Sequence, residues 1–405
     1  MKRMKTMALM AAAMLTAGAT LTSCSTGDDG EVSGPMDWPD GAYTTAGDDG
    51  MNGGGGDGND RHAGVVTAGE WNDLAHWQFW SGLMGSDAFA DKSDYWQMYT
   101  NNRVAVEVTN PDGQPLAGLG VTLLRGDAPL WQTVTDNHGR AECFVGFTRQ
   151  ETADGTSLQL SIADRLMEGN PIVSAWDSIG EPVTNRYTLA LDEPAAKRAD
   201  IAFIVDATGS MGDEINFLKN DLTDIIGKAA DASREVTLRT AALFYRDDDD
   251  EYLTRLSPFT DKLAETADFI SKQSANGGGD YPEAVHTALE RMLQDLDWDR
   301  TARSRLAFML LDAPAHHEAD VIRSMQGSVE RCARLGIKLI PVAASGVDKN
   351  TEFMLRFFAV STGGTYVFLT NDSGVGNDHM KANVGQYEVE QLNSLIVRLI
   401  SEYTE

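Results

Sequence analysis

The feature that most constrains this chain is the run Ile201-Ala-Phe-Ile-Val205, five apolar residues in succession with Asp206 directly after them. A strand with one solvated face alternates apolar and polar residues, whereas a strand that is apolar throughout must be covered on both faces, as in a parallel sheet layered between helices. The same texture returns in Val236 to Tyr245, Leu306 to Leu311 and Ile337 to Ala343. Between these runs, Val285, Ala288, Leu289, Met292, Leu293 and Leu296 mark one face of a helix, as do Val389, Leu392, Ile396, Leu399 and Tyr403 near the C-terminus. Residues 198–405 therefore predict a doubly wound α/β domain with a mostly parallel sheet, which binds ligands at the C-terminal ends of its strands.

Three loops at those strand ends carry the chemistry. The first, Asp206-Ala-Thr208-Gly-Ser210, offers a carboxylate and two hydroxyls at alternate positions, so that a tight turn presents three hard oxygen donors. Such donors, completed by water, select Mg²⁺, Mn²⁺ or Ca²⁺ over zinc or copper. The second loop is Gly277-Gly-Gly-Asp280-Tyr-Pro282-Glu283, and the third is Asp312-Ala-Pro314-Ala-His316-His317. Asp280 and Glu283 also suit a second role, as acids facing the amides at the start of the following helix, with Pro282 in its first turn.

The first loop matches the D-x-[ST]-x-S signature and resembles the metal-ion-dependent adhesion site of von Willebrand factor type A (vWA) domains. The resemblance covers about residues 198 to 405 and implies a metal shell of Asp206, Thr208, Ser210, Glu283 and Asp312, with Mg²⁺ the expected cation. Many vWA domains place a metal-binding Thr in the second loop; here it is absent, and the loop is similar to the integrin β and hemicentin branch, in which an acid after Pro takes that role. By the same resemblance Asp213, Glu214, Asp247 and Asp280 are expected at secondary metal sites. Gly278 departs from that branch, which has Asn there. Asp248 to Glu251 read as a solvated acidic turn, and the His316-His317 pair as loop structure or ligand contact. The family implies a protein ligand whose Asp or Glu completes the metal shell.

The N-terminus addresses the compartment. Lys2, Arg3 and Lys5 precede an uncharged apolar run from Met7 to Leu21, too short to span a bilayer and closed by Leu21-Thr-Ser-Cys24. The tetrad resembles a lipobox, so residues 1–23 are expected to be a signal peptide and Cys24 a lipidated anchor, held more firmly by several acyl chains than by one. Ser25 after the Cys resembles the sorting signal for the outer membrane of Gram-negative bacteria, on its surface or its periplasmic face. Residues 24–60, including MNGGGGDGND, read as a flexible tether. The net charge of −28 disfavours nucleic acid and anionic lipid as partners.

Residues 61–101 are Trp-rich. Thr67-Ala-Gly-Glu70 resembles a capping box ahead of a helix, with Trp71, Leu74, Trp77 and Trp80 at three-residue steps, so this segment is expected to be helical and to cement neighbouring domains. In residues 102–195, the runs at 103–109, 121–124, 141–147, 157–163 and 187–191 are separated by turn signals such as Asn110-Pro-Asp-Gly113 and Asp136-Asn-His-Gly139. They predict a small β-sandwich resembling carboxypeptidase-regulatory and immunoglobulin-like modules, acting as a spacer. Cys143 and Cys332 are expected as buried thiols without a disulfide. The chain carries no G-x-S-x-G elbow, Walker loop or HExxH motif, and no enzymatic role is expected. The other readings are a structural or chaperone-like part in envelope assembly with a structural metal, and a metal-dependent hydrolase.

Overall fold

The computed structural model describes residues 64–405, apart from residues 88, 152, 154–156, 178–179, 193–195, 213, 233–235, 249, 280 and 376–378. The expected signal peptide, Cys24, the expected tether to residue 60, Asp213 and Asp280 thus lie outside the described residues.

The described residues open with a strand, not a helix. Thr67–Trp71 is β1, and only then do two short helices follow, α1 (Trp77–Met84) and α2 (Lys92–Trp96). The capping-box reading of Thr67 to Glu70 is therefore corrected. The Thr67 hydroxyl bonds Thr370 Oγ1 at 2.8 Å rather than a local amide. Gly69 has its own reason: a Cβ there would lie 2.7 Å from the Tyr387 ring and 2.8 Å from the Phe368 ring.

Next come β2 (Arg103–Thr109), β3 (Gly120–Arg125), β4 (Ala128–Val134), β5 (Arg140–Phe144), β6 (Leu158–Ile162), β7 (Arg165–Leu166) and β8 (Thr184–Thr188). They form a three-stranded sheet, β5-β2-β8, and a four-stranded one, β4-β3-β6-β7. β4 is a strand that the turn pattern did not indicate, and the closing strand lies earlier than the 187–191 expected.

The remainder alternates as the apolar runs predict: β9 (Ala196–Asp206), α3 (Ile215–Ala232), β10 (Thr237–Tyr245), β11 (Thr254–Thr260), α4 (Leu263–Ser271), α5 (Val285–Asp295), β12 (Ala302–Leu311), α6 (Ala319–Leu335), β13 (Ile337–Ala343), α7 (Lys349–Thr362), β14 (Tyr366–Leu369), β15 (Glu390–Gln391) and α8 (Leu392–Thr404). One sheet runs β11-β10-β9-β12-β13-β14-β1-β15, and its centre, β10-β9-β12-β13-β14, is parallel. β11 and β1 pair antiparallel with the two ends of that centre.

Period-two alternation divides the core. Ile201, Phe203 and Val205 pack with residues of α3, α4 and α8, while Ala202 and Ile204 belong to the cluster of α5, α6 and α7. That second cluster continues without a break into Trp77, Trp80 and Trp96 and into both small sheets, for example through Phe147 and Phe357, whose rings are 5.3 Å apart. A buried charge lock reinforces the contact. The Arg356 guanidinium on α7 donates to both carboxylate oxygens of Asp73, at 2.9 and 2.6 Å, and to Glu352 at 3.3 Å. Cys143 and Cys332 are buried and unbonded to one another.

Candidate metal centre

In the parallel sheet the chain leaves β9 toward β10 on one side and reaches β12 on the other, so the strand order reverses between β9 and β12. Crevices at such reversals, beyond the C-terminal strand ends, are where open α/β sheets hold ligands. Asp206 ends β9, and Asp312 follows the last residue of β12.

The first loop folds on itself. Thr208 donates its backbone N–H and its hydroxyl to Asp206 Oδ1, at 2.9 and 2.7 Å, and its Oγ1 lies 3.2 Å from Ser210 Oγ. The second loop is tied to the first: Asn276 N donates to Ala207 O at 3.0 Å, and Gly209 N to Gly277 O at 2.9 Å. The buried Arg246 guanidinium staples the same pair of loops through Ala207 O and Ser274 O. Gly278 has φ +73°, and a Cβ on it would stand 3.0 Å from Glu283 Oε1 and 3.2 Å from Thr208 Cβ. A bare backbone there lets Glu283 approach Thr208. The third loop joins the second through Glu283 N donating to Pro314 O at 2.9 Å.

All five residues named for the primary shell converge. Asp206, Thr208, Glu283 and Asp312 are buried, and Ser210 is exposed at the mouth. Glu283 faces the Thr208 hydroxyl, and Asp312 faces that of Ser210. Burial first, then repulsion from Asp206 and Asp247, pushes Glu283 up to about 9. Burial likewise raises Asp206, and burial with the Asp206 charge raises Asp312. One oxygen of each carboxylate, Asp206 Oδ2, Glu283 Oε2 and Asp312 Oδ1, is buried without a hydrogen-bond partner. A buried carboxylate with an unmade bond costs free energy unless a cation neutralises it, so the residues fit a hard divalent ion. Among the described residues no group of three or more His, Cys, Asp or Glu side chains forms a ready-made metal cage.

The secondary residues fall on two sides of this centre. Glu214 is buried near Asp312 and receives the Ser345 backbone N–H at 3.1 Å together with the Ser345 hydroxyl. Asp247 lies on the Glu283 side and bonds His316 Nε2 at 2.9 Å. Asp250 is more than a solvated acid: its Oδ2 accepts from Gly278 N at 2.9 Å and from Asp247 N at 3.2 Å. His317 stacks on Tyr95 of α2 with ring centroids 3.6 Å apart and bonds Tyr95 O at 2.8 Å, so the Trp-rich segment reaches the rim of the centre.

Sequence reasoning missed Tyr245. It closes an apolar strand and reads as core, yet the β9–β10 register sets it beside Asp206, with Glu283 and Asp312 also in electrostatic reach of its buried phenol.

Part of the chain is similar to known proteins. Residues 200–335 match the family model of the von Willebrand factor A domain. An ariadne-like RING finger protein of Acanthamoeba polyphaga mimivirus is 34% identical over 121 residues, 30% of this chain and 12% of that protein. The alpha-protein kinase vwkA of Dictyostelium discoideum is 22% identical over 213 residues, 52% of this chain and 33% of its own length. This chain thus spans only a minor part of either relative. Among solved structures, the conserved hypothetical protein BatB from Bacteroides thetaiotaomicron is 13% identical with a TM-score of 0.34, covering 51% of this chain and 98% of that one.

Proposed function

We propose that this protein is a lipid-anchored receptor of the bacterial outer envelope that captures a protein ligand through a divalent cation held by its vWA domain. Asp206, Thr208, Ser210, Glu283 and Asp312 would hold the ion, a hard divalent cation (Mg²⁺ as the family resemblance implies, with Mn²⁺ or Ca²⁺ as alternatives), and an Asp or Glu of the ligand would complete its shell. The observation that carries this reading is the set of three partnerless carboxylate oxygens, one from each of three loops, at the reversal of strand order. The mouth favours capture over a purely structural ion, since Ser210 and residues 276–279 are exposed. Bound there, the cation supplies positive charge that turns a repulsive cluster of acids into a receptor for one more acid. The chain's own part is to hold the loops together through Arg246 and the Glu283–Pro314 bond, so that the donors are set before the ligand arrives.

The test is affinity capture from envelope extracts with Mg²⁺ and with EDTA, using wild type and Asp312→Asn. Partners retained only by wild type with Mg²⁺ are expected. An identical set of captured proteins in all four arms refutes the reading.

A further inference from the structure

Two residues before Glu283 stands Tyr281, whose side chain is 44% exposed although its hydroxyl is committed. The phenol donates to Gly346 O at 3.0 Å, accepts the Asp348 backbone N–H at 3.1 Å and lies 3.3 Å from Thr351 Oγ1. The polar end is therefore pinned to the start of α7, and what faces solvent is the ring. A pinned aromatic loses little rotamer freedom when a partner arrives, which is the property of an interface anchor.

The surroundings indicate which partner group suits this ring. Asp348, which is outside the proposed metal shell, is an electrostatic neighbour of Tyr281 and of Tyr95, which is 36% exposed and stacked on His317. Lys349, the residue after Asp348, pairs with Glu352 at 3.7 Å. An exposed electron-rich ring under negative potential attracts a cation more than an apolar or acidic group. We propose that Tyr281 is a specificity-determining contact beside the carboxylate site, and that it receives a Lys or Arg side chain flanking the acidic residue of the ligand. This rests on the reading above, in which a ligand carboxylate enters at the centre two residues away.

The experiment uses the full chain with Mg²⁺ on an array of synthetic peptides. Each carries a central Asp or Asn, and each flanking position is set in turn to Lys, Arg, norleucine, citrulline or Glu. Wild type should favour Lys or Arg over its uncharged isostere at one flanking position by about 3- to 30-fold. Tyr281→Ala should bring that ratio close to one while Mg²⁺ affinity by calorimetry stays at the wild-type value. Tyr281→Phe, which keeps the ring and removes the hydroxyl bonds, should retain most of the preference. Because the readout is a ratio within each protein, a general loss of stability does not imitate it. Binding that needs the central Asp but ignores the flanks, or a flank preference that survives Tyr281→Ala, overturns the proposal and leaves the proposed function standing. Binding that does not depend on the central Asp overturns both.

Discussion

Replacing Glu283 with Gln should stabilise the metal-free protein at alkaline pH. In the folded chain burial and the neighbouring carboxylates raise Glu283 from 4.5 to about 9. An acid raised in this sense keeps its proton in the folded state while the unfolded chain has already released it. Stability is thus whole below about pH 4.5 and falls as pH rises toward 9. Asp206 and Asp312 are raised less far, so the interval from about pH 7 to pH 9 isolates Glu283. Two pH units at about 1.4 kcal/mol each set an upper limit of ~3 kcal/mol, or roughly 5 °C in Tm for a unit of this size. Thermal melts in EDTA across that interval should therefore slope downward for wild type and run flat for Glu283→Gln, with the variant the more stable at pH 9. Saturating Mg²⁺ should narrow that gap, because the ion stabilises wild type by about 2.7 kcal/mol at a hundredfold excess over its Kd. Wild-type melts in EDTA that do not change between pH 7 and 9 refute the argument, since they mean that burial and the neighbouring like charges do not hold the proton on Glu283.

Three further outcomes are expected. Calorimetric titration should find Mg²⁺ binding weakened in Glu283→Ala at least as much as in Asp206→Ala, with the primary ion retained in Asp280→Ala; loss in Asp280→Ala with wild-type affinity in Glu283→Ala reverses the assignment of the two acids. Arg356→Ala, which strands Asp73 and Glu352 in the core, should cost about 3–5 kcal/mol in urea unfolding, and an effect under ~1 kcal/mol excludes the buried lock as a major brace. Cys24→Ala should release the protein from membranes into the aqueous phase of a detergent partition; a variant that stays with the acylated fraction rules out the lipid anchor.

The parallel centre of the sheet was legible before any coordinates, because a strand covered on both faces must be apolar throughout. Ile201 to Val205, Leu306 to Leu311 and Ile337 to Ala343 each lie within the strands they predict. The first loop was legible for the same local reason, since its Asp, Thr and Ser donate from adjacent turns of one short segment. Glu283 and Asp312 could be named from motif order, but their convergence depends on strand order, which local pattern does not encode.

The N-terminal region shows where local signals end. Thr67 to Trp71 carries a helix-start pattern, yet it becomes a strand because β14 offers an open edge to hydrogen-bond and a glycine fits beneath Tyr387. That edge lies roughly three hundred residues away in sequence. Tyr245, Arg356 and His317 were obscure for the same reason. Their surroundings are built by Asp206, Asp73 and Tyr95, each from another element of the chain. Sequence alone determined which segments must be buried and which loop carries hard oxygen donors, because periodicity and short-range donor spacing are properties of neighbours. Tertiary structure decided which acids crowd together, which tyrosine faces solvent and which segment completes the sheet, because charge repulsion, burial and strand pairing act between residues that only the fold brings into contact.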